Sequence, residues 1–177
     1  MDVHTRIAED GQPETAPQVF RVLFVCLGNI CRSVAAEITF NAAVKEAGLA
    51  DHVEADSCGT ANYHVGQKPD ARMLAALERA GFEYNGHRGR QFCRQDFADF
   101  DLIVPQDNSN YEDIIQKAAT PDEMAKVVPM SAWFADDCPL HEVPDPYYGG
   151  DEGFDSVVEL LAGATRQMAG DIARAES

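Results

Sequence analysis

The segment from residue 22 to residue 33 carries side chains that together could bind and attack an oxyanion. An apolar run ends at Cys26, a five-residue loop containing a glycine follows, and then come Arg32 and Ser33. The N–H groups of such a loop and the fork of an arginine bind the oxygens of a phosphate-like anion. The same positive groups favour a cysteine thiolate, which is a strong nucleophile. The spacing therefore predicts an oxyanion-binding loop with a nucleophile built into it.

The elements around this loop are those that such a site needs. Residues 19–25 are β-branched and aromatic and predict a strand that ends at Cys26, whereas residues 33–47 predict a helix. Parallel sheets bind ligands at the carboxyl ends of their strands, where a loop leads into a helix. A cysteine followed by an arginine at this spacing is nevertheless a weak signal by itself. From this segment alone, a buried and unreactive cysteine at a strand end remains the alternative.

Five segments of the chain together resemble one enzyme family. Residues 26–33, Cys-Leu-Gly-Asn-Ile-Cys-Arg-Ser, are similar to the signature of the low-molecular-weight protein tyrosine phosphatases. Four further segments resemble the same family in the same order, namely residues 56–66, 69–72, 87–92 and 143–150. The last of them contains Asp-Pro-Tyr, which this family carries far behind its cysteine. The resemblance extends from about residue 19 to the end of the chain.

The alternation of predicted strands and helices indicates an α/β fold with a parallel sheet. The resemblance implies four strands in the order 2-1-3-4, helices on both faces and the phosphate loop after strand 1. Strands are expected at residues 19–25, 52–56, 101–104 and 126–128. Helices are expected at residues 33–47, 69–80, 95–100 and 108–118. A last helix must bury the apolar stripe Phe154, Val157, Leu161, Ala164, Met168 and Ile172.

The resemblance implies a protein tyrosine phosphatase that hydrolyses phosphotyrosine and other aryl phosphate monoesters. Cys26 would form a phosphocysteine, Arg32 would bind two phosphoryl oxygens, and Asp145 would protonate the leaving phenolate. The phosphate-binding loop would consist of Leu27, Gly28, Asn29, Ile30, Cys31 and Arg32. Neither a metal nor another cofactor is expected, because this mechanism requires none.

Two further groups of residues are expected around the loop. The network that holds the loop in the family is matched here by Asn29, Ser33, Ser57 and His87. Asn29 tolerates the left-handed backbone region, and the Ser33 hydroxyl can donate a hydrogen bond to the Cys26 sulfur. The walls that enclose the substrate's ring in the family are matched by Leu27, Tyr63, Tyr147 and Tyr148. Such walls would favour an aryl phosphate.

A second cysteine, Cys31, lies in the same loop as Cys26. Oxidation could join the two thiols in a disulfide and so protect Cys26 from irreversible oxidation. The family supports such a reversible lock, and we therefore expect Cys31 to be redox-active. The other three cysteines, Cys58, Cys93 and Cys138, are expected to be core or incidental thiols.

The composition limits the partners and the compartment. The chain has 177 residues with 14 Lys and Arg against 30 Asp and Glu, which gives a net charge of −16. This acidity argues against nucleic acid or a membrane surface as partner, so phosphate must be captured locally. Residues 1–18 are expected to be a disordered tail without a signal peptide, and residues 19–177 a single phosphatase domain. The odd number of unevenly spaced cysteines favours a reducing cytoplasm.

The expected partner is a phosphotyrosine protein, with an autophosphorylating bacterial tyrosine kinase as one candidate. The protein itself is expected to be a monomer or a weak dimer. The residues leave open whether arginine phosphate is a substrate.

Two other functions would use a similar loop. An arsenate reductase on the same fold needs two further cysteines close together, whereas Cys93 and Cys138 lie far apart in the chain. A non-catalytic phosphotyrosine-binding module would give no reason for Cys26, Arg32 and Asp145 to occur together.

The chain departs from the family at two places. Val34 stands where the family usually has proline, and Pro105-Gln106 stands where it has Ala-Met. The second departure leaves the local loop geometry open.

Overall fold

The structure is a computed structural model that describes residues 5–7, 13–15, 18–147 and 149–176. Near the N-terminus, strand β1 (Thr5–Ile7) pairs antiparallel with strand β2 (Pro13–Thr15). The prediction of a disordered tail over residues 1–18 did not include these strands. The remaining tail residues up to 17 lie outside the described part. The domain boundary at residue 18 stays a prediction.

A parallel sheet lies at the centre of the described chain. Its middle strand is β3 (Phe20–Cys26), and β4 (Val53–Gly59) and β5 (Leu102–Pro105) pair with it on either side. Cys26 pairs with Gly59 of β4, and Val25 pairs with Pro105 of β5. The carboxyl ends of the three strands therefore meet at one edge, where the loop after Cys26 begins.

The prediction of a fourth strand was wrong, because the sheet of the described residues has three strands in the order β4-β3-β5. Residues 126–128 make only one parallel bridge, between Val127 and Ile103. The next bond of this ladder would need a backbone N–H at position 105, two residues after Ile103. Pro105 has no N–H, so the pairing cannot continue.

The described residues form six α-helices and one 3₁₀-helix. They are α1 (Arg32–Glu46), α2 (Ala71–Arg79), α3 (Asp96–Asp99), α4 (Asn108–Lys117), α5 (Pro121–Ala125), the 3₁₀-helix Met130–Trp133 and α6 (Asp151–Glu176). Asp70 caps α2, where its carboxylate accepts the Arg72 N–H at 2.8 Å. Asp107 caps α4 in a reciprocal pair with Asn110. Each such cap stabilises its helix by about 1 kcal/mol.

The two faces of β3 bury different parts of the core. Val22 and Phe24 face a large cluster with α1, α2 and α6, which includes the fully buried Leu161. Leu23 and Val25 face a smaller cluster that includes residues of α3 and α4, such as Phe97. This alternation follows from the two-residue period of a strand. Helices therefore cover both faces of the sheet, as expected.

The boundaries of the elements differ from the predictions by a few residues. The predicted stripe of α6 is confirmed, with the first five of its residues buried and Ile172 packed partly buried against the same cluster. Strand β4 runs on to Gly59, past the predicted end at residue 56, because Cys58 is fully buried beside Val25. Helix α5 was not predicted. No helix in the described part of the chain combines the length and hydrophobicity needed to cross a membrane.

Candidate active site

The loop between β3 and α1 wraps around the sulfur of Cys26. Asn29 adopts φ 58°, in the left-handed region that its side chain tolerates. Its N–H donates to Cys26 Sγ at 3.3 Å, and Ser33 Oγ lies 3.0 Å from the same sulfur. Cys26 is 3% exposed. Two polar groups thus stabilise negative charge on this sulfur, at the beginning of α1.

The buried side chain of Asn29 holds the loop in this conformation. Its Nδ2 donates to Ser33 Oγ at 2.8 Å and to Ser57 Oγ at 3.0 Å. Its Oδ1 lies 2.7 Å from His87 Nε2 and accepts the Arg90 N–H at 3.1 Å. The structure therefore brings the four residues of the expected network into direct contact.

Glu37 lies behind this network and was not predicted as part of it. Its carboxylate accepts the Ser57 hydroxyl at 2.6 Å and the Asn85 side-chain amide, and it lies 3.3 Å from His87 Nδ1. Burial raises the pKa of the Glu37 carboxyl, and the neighbouring His87 and hydrogen bonds offset this only in part. The available signal in the sequence was a glutamate four residues after Ser33, within the apolar part of α1.

Asp56 completes a cluster with Glu37 and His87 in which three potential metal ligands lie within 4.8 Å of one another. The Asp56 carboxylate lies 3.5 Å from His87 Nδ1 and accepts a bond from Arg90 at 3.2 Å. Burial opposes ionisation of Asp56, but His87, the Ser57 N–H and Arg90 outweigh it and lower the pKa. The oxygens and ring nitrogens of the cluster already have protein partners, which account for its arrangement without a metal.

Arg32 is a buried charged residue that lines a cavity at this end of the sheet. Its Nη1 donates to Asp107 Oδ2 at 2.6 Å and to Val143 O at 3.1 Å, and its Nη2 lies 3.6 Å from Asp145 Oδ2. Burial lowers the pKa of Arg32, but the Cys26 thiolate and the two carboxylates raise it by more. The other oxygen of Asp107 caps α4, so one carboxylate anchors both the helix and the guanidinium.

A cavity of about 290 Å³ opens above these groups. Cys26, Arg32 and Asp145 all line it. The expected ring walls Leu27, Tyr63 and Tyr147 also line it and are 43%, 69% and 38% exposed, whereas Tyr148 lies outside the described residues. His64 is a lining residue that sequence reasoning missed, and its position beside Tyr63 was the only available signal.

The loop that carries Asp145, residues 143–147 and 149–150, is called the acid loop after the expected role of Asp145, and it is attached to the sheet near the phosphate loop. The Val143 N–H donates to Gln106 O at 2.8 Å, and the Gln106 N–H donates to Val25 O at 2.9 Å. The departure at Gln106 therefore leaves this backbone connection in place. In the loop itself, Asp145 Oδ1 accepts the Tyr147 N–H at 3.0 Å. The other departure, Val34, is fully buried, and α1 begins two residues before it.

The five cysteines are free thiols in different environments. Cys31 is buried in the cavity wall, and burial together with nearby Asp70 raises the pKa of its thiol. Cys58 is fully buried on β4 beside Val25, where burial also raises the pKa of its thiol. Cys93 is exposed and Cys138 is half-buried, and neither lines the cavity.

Comparison with known proteins agrees with this geometry. The family described as low molecular weight phosphotyrosine protein phosphatase matches residues 21–177. A putative low molecular weight protein-tyrosine-phosphatase of Synechocystis is 46% identical over 144 residues, which are 81% of this chain and 90% of that protein. The human low molecular weight phosphotyrosine protein phosphatase is 36% identical over 138 residues, covering 78% of this chain and 86% of its own.

Solved structures show the same fold. A protein tyrosine phosphatase from Entamoeba histolytica with Hepes in its active site superposes with a TM-score of 0.84 at 34% identity, covering 89% of this chain and 99% of its own. YfkJ from Bacillus subtilis superposes with a TM-score of 0.83 at 33% identity, covering 90% and 98%. The chain therefore belongs to the low molecular weight phosphotyrosine protein phosphatase family, and it is a phosphatase.

Proposed function

We propose that this enzyme hydrolyses phosphotyrosine in proteins, and aryl phosphate monoesters in general, through a phosphocysteine on Cys26. The observation that carries the proposal is that a thiol, a guanidinium and a carboxylate, from Cys26, Arg32 and Asp145, line one cavity. These are the nucleophile, the oxyanion ligand and the proton donor that cleavage of an aryl phosphate needs.

The phosphoryl group would bind over Cys26, between Arg32 and the N–H groups of residues 27–32. Because Asp107 fixes one end of the guanidinium, the other end can face the cavity. The loop also needs close packing against β4, since a Cβ atom on Gly59 would lie 2.6 Å from Leu27 O. Because such a loop is preorganised, it needs little rearrangement when charge develops on the transferring phosphoryl group.

In the first step, the Cys26 thiolate attacks phosphorus. The P–S bond forms, the bond to the aryl oxygen breaks, and Asp145 gives its proton to the leaving phenolate. In the second step, the Asp145 carboxylate takes a proton from water as the water attacks phosphorus and the P–S bond breaks. Ser33 and the Asn29 N–H, both beside the sulfur, stabilise the thiolate that departs.

Replacement of the nucleophile tests this mechanism. Cys26→Ser should lose at least about 10³-fold in kcat with p-nitrophenyl phosphate and with a phosphotyrosine peptide. Cys93→Ser, which removes an exposed thiol outside the cavity, is the matched control and should keep full activity. Turnover that survives Cys26→Ser would overturn the proposal. An arsenate reductase reaction would require two further thiols at the site, and besides Cys26 the cavity is lined by Cys31 but by neither Cys93 nor Cys138.

A redox lock between Cys26 and Cys31 is the second part of the proposal. Peroxide would convert the Cys26 thiolate to a sulfenic acid, and the Cys31 thiol would displace water from it to form a disulfide. Because burial keeps the pKa of Cys31 high, we expect this closing step to accelerate as pH rises. Mass spectrometry after peroxide should show the disulfide, and Cys31→Ser should lose activity irreversibly. Reversible recovery of Cys31→Ser by a thiol reductant would contradict the lock.

The proposed partners are phosphotyrosine proteins in the cytoplasm, with a bacterial tyrosine kinase among the candidates. The net charge of −16 repels acidic substrates at long range, so recognition must depend on contacts at the cavity. Parallel assays of Cys26-dependent turnover with a phosphotyrosine peptide and an arginine-phosphate peptide will compare the two substrate classes. We expect the phosphotyrosine peptide to be preferred, because aromatic walls flank the cavity.

A further inference from the structure

The motif at residues 69–72 has no part in the mechanism above, yet it lies between the two catalytic loops. Asp70 precedes α2, and its N–H donates to Ile30 O at 2.8 Å. Ile30 belongs to the phosphate loop and lines the cavity. The start of α2 is therefore attached to the loop that holds the nucleophile.

The Asp70 carboxylate in turn fixes the side chain of Arg72. Its Oδ1 accepts Arg72 Nε at 3.1 Å, and its Oδ2 accepts Nη2 at 3.0 Å. Two parallel bonds from a planar fork determine the orientation of a guanidinium, which a single lysine nitrogen cannot reproduce.

Arg72 reaches the acid loop from this position. Its Nη2 donates to Tyr147 O at 3.0 Å. The centre of its guanidinium lies 5.4 Å from the ring centroid of Tyr147 and 4.6 Å from that of Phe154, a fully buried residue of α6. Tyr147 is the residue whose N–H donates to Asp145 Oδ1. Arg72 thus contacts α6 directly, and it is linked to the phosphate loop through Asp70 and to the Asp145 carboxylate through Tyr147.

We propose that Arg72 is a positioning residue that aligns the Asp145 carboxyl with the leaving oxygen of the substrate. This inference rests on the proposed function, because it assigns Arg72 an effect through the general acid. A small misplacement of a catalytic group is enough to lose much of its contribution. The loss must therefore depend on how strongly the leaving group needs a proton.

Arg72→Met, which keeps the length of the side chain but removes the fork, tests this directly. Its kcat should fall about 10-fold on a phosphotyrosine peptide and less than about 2-fold on 2,4-dinitrophenyl phosphate, whose leaving group needs little protonation. The dependence of the rate on leaving-group pKa should become steeper across a series of aryl phosphates. Arg72→Lys should recover only part of the loss, because it restores the charge without the fork.

Arg79→Met is the matched control. Arg79 lies on the same helix and pairs with Asp155 of α6 at 2.7 Å, but it does not line the catalytic cavity. Arg79→Met should leave kcat on the phosphotyrosine peptide, kcat on 2,4-dinitrophenyl phosphate and the ratio of the two unchanged. A general loosening of the contact between α2 and α6 would instead affect both variants alike.

A double-mutant cycle with Asp145→Asn decides whether Arg72 acts through the acid. In the Asp145→Asn background, Arg72→Met should lower kcat on the phosphotyrosine peptide by less than about 2-fold. Equal losses of Arg72→Met on both substrates, or full additivity with Asp145→Asn, would overturn the inference. Failure of the proposed function has a different signature, namely wild-type protein whose turnover does not depend on Cys26.

Discussion

The two loops that meet at the cavity are held in different ways. Cys26, Asn29 and Arg32 of the phosphate loop are buried, although Leu27 is 43% exposed, and the side chain of Asn29 alone bonds four neighbouring residues. The acid loop is open, with the Asp145 side chain 40% exposed. Its contacts with the rest of the protein include the backbone bond of Val143 to Gln106, the bond from Arg72 to Tyr147 O, and Arg32 beside Val143 O and the Asp145 carboxylate. The groups proposed to bind the anion are thus preorganised, whereas the proposed proton donor lies on a less constrained segment.

Among the variants that compare the two loops, the largest effect is expected for Arg32→Lys, in the buried region. Lysine keeps the charge but loses the fork that bonds Asp107 and faces the cavity, so kcat/KM should fall about 10²- to 10³-fold for every aryl phosphate. Steady-state assays with two leaving groups measure this. Arg21→Lys, at an exposed ion pair with Glu54, is the control and should have no effect. If Arg32→Lys lowered kcat/KM only for substrates with poor leaving groups, the two loops would not differ in the way that this comparison requires.

Asp145→Asn, in the open region, should act selectively. We expect kcat on phosphotyrosine to fall about 10²-fold and kcat on 2,4-dinitrophenyl phosphate to fall far less, because only the former needs the proton. The free energy of unfolding should change by no more than about 0.5 kcal/mol, since the side chain is substantially exposed. Asp137→Asn, at an exposed position, is the control. Equal losses on both substrates would count against the acid role.

Asn29→Ala should affect stability as well as activity. It removes the hydrogen bonds of the Asn29 side chain to Ser33, Ser57 and His87 and puts alanine at φ 58°. The expected loss in the free energy of unfolding is about 2 to 3 kcal/mol, measured by urea denaturation. Asn62→Ala, at an exposed position, should change it by no more than about 0.5 kcal/mol. If the two variants were equally stable, the phosphate loop would not be the more firmly held region.

The smallest effects are two pH dependences of opposite sign. Hydrogen bonds from Arg72 lower the pKa of Asp70, so its carboxylate stabilises the fold above the unfolded value of about 4. This contribution is lost as pH falls through the folded pKa. Asp70→Asn should therefore lower the free energy of unfolding by less than about 1 kcal/mol at neutral pH, and the deficit should shrink on acidification.

Glu37 has the reverse behaviour, because burial raises its pKa. Its contribution to stability is fully present below about pH 4 and is lost as pH rises through the raised folded pKa. The stability of Glu37→Gln relative to wild type should therefore improve with rising pH. Urea titrations of both variants from acidic to neutral pH measure the two slopes. If the stability of both variants relative to wild type changed with pH in the same direction, the opposite pKa shifts assigned to Asp70 and Glu37 would be contradicted.

Much of the fold was predictable where a pattern had one physical solution. The apolar stripe of α6 had to be buried, and the β-branched and aromatic residues 19–25 predicted a strand, which β3 (Phe20–Cys26) confirms. The fourth strand was mispredicted because pairing depends on the partner: Pro105 lacks the N–H that residues 126–128 would have needed. Glu37 and His64 were not predicted as site residues, because a single glutamate in a helix and a single histidine in a loop form no periodic pattern.

The sequence by itself determined the reactive groups and their local context, since the loop from Cys26 to Arg32 is formed by adjacent residues and its chemistry depends on short-range geometry. Only the tertiary structure decided what surrounds that loop. Asp107 contacts Arg32 and Arg72 contacts Tyr147 across 75 residues in the chain, and Glu37 contacts Ser57 across 20. Such contacts depend on how helices pack on the sheet, and no spacing within one segment encodes that.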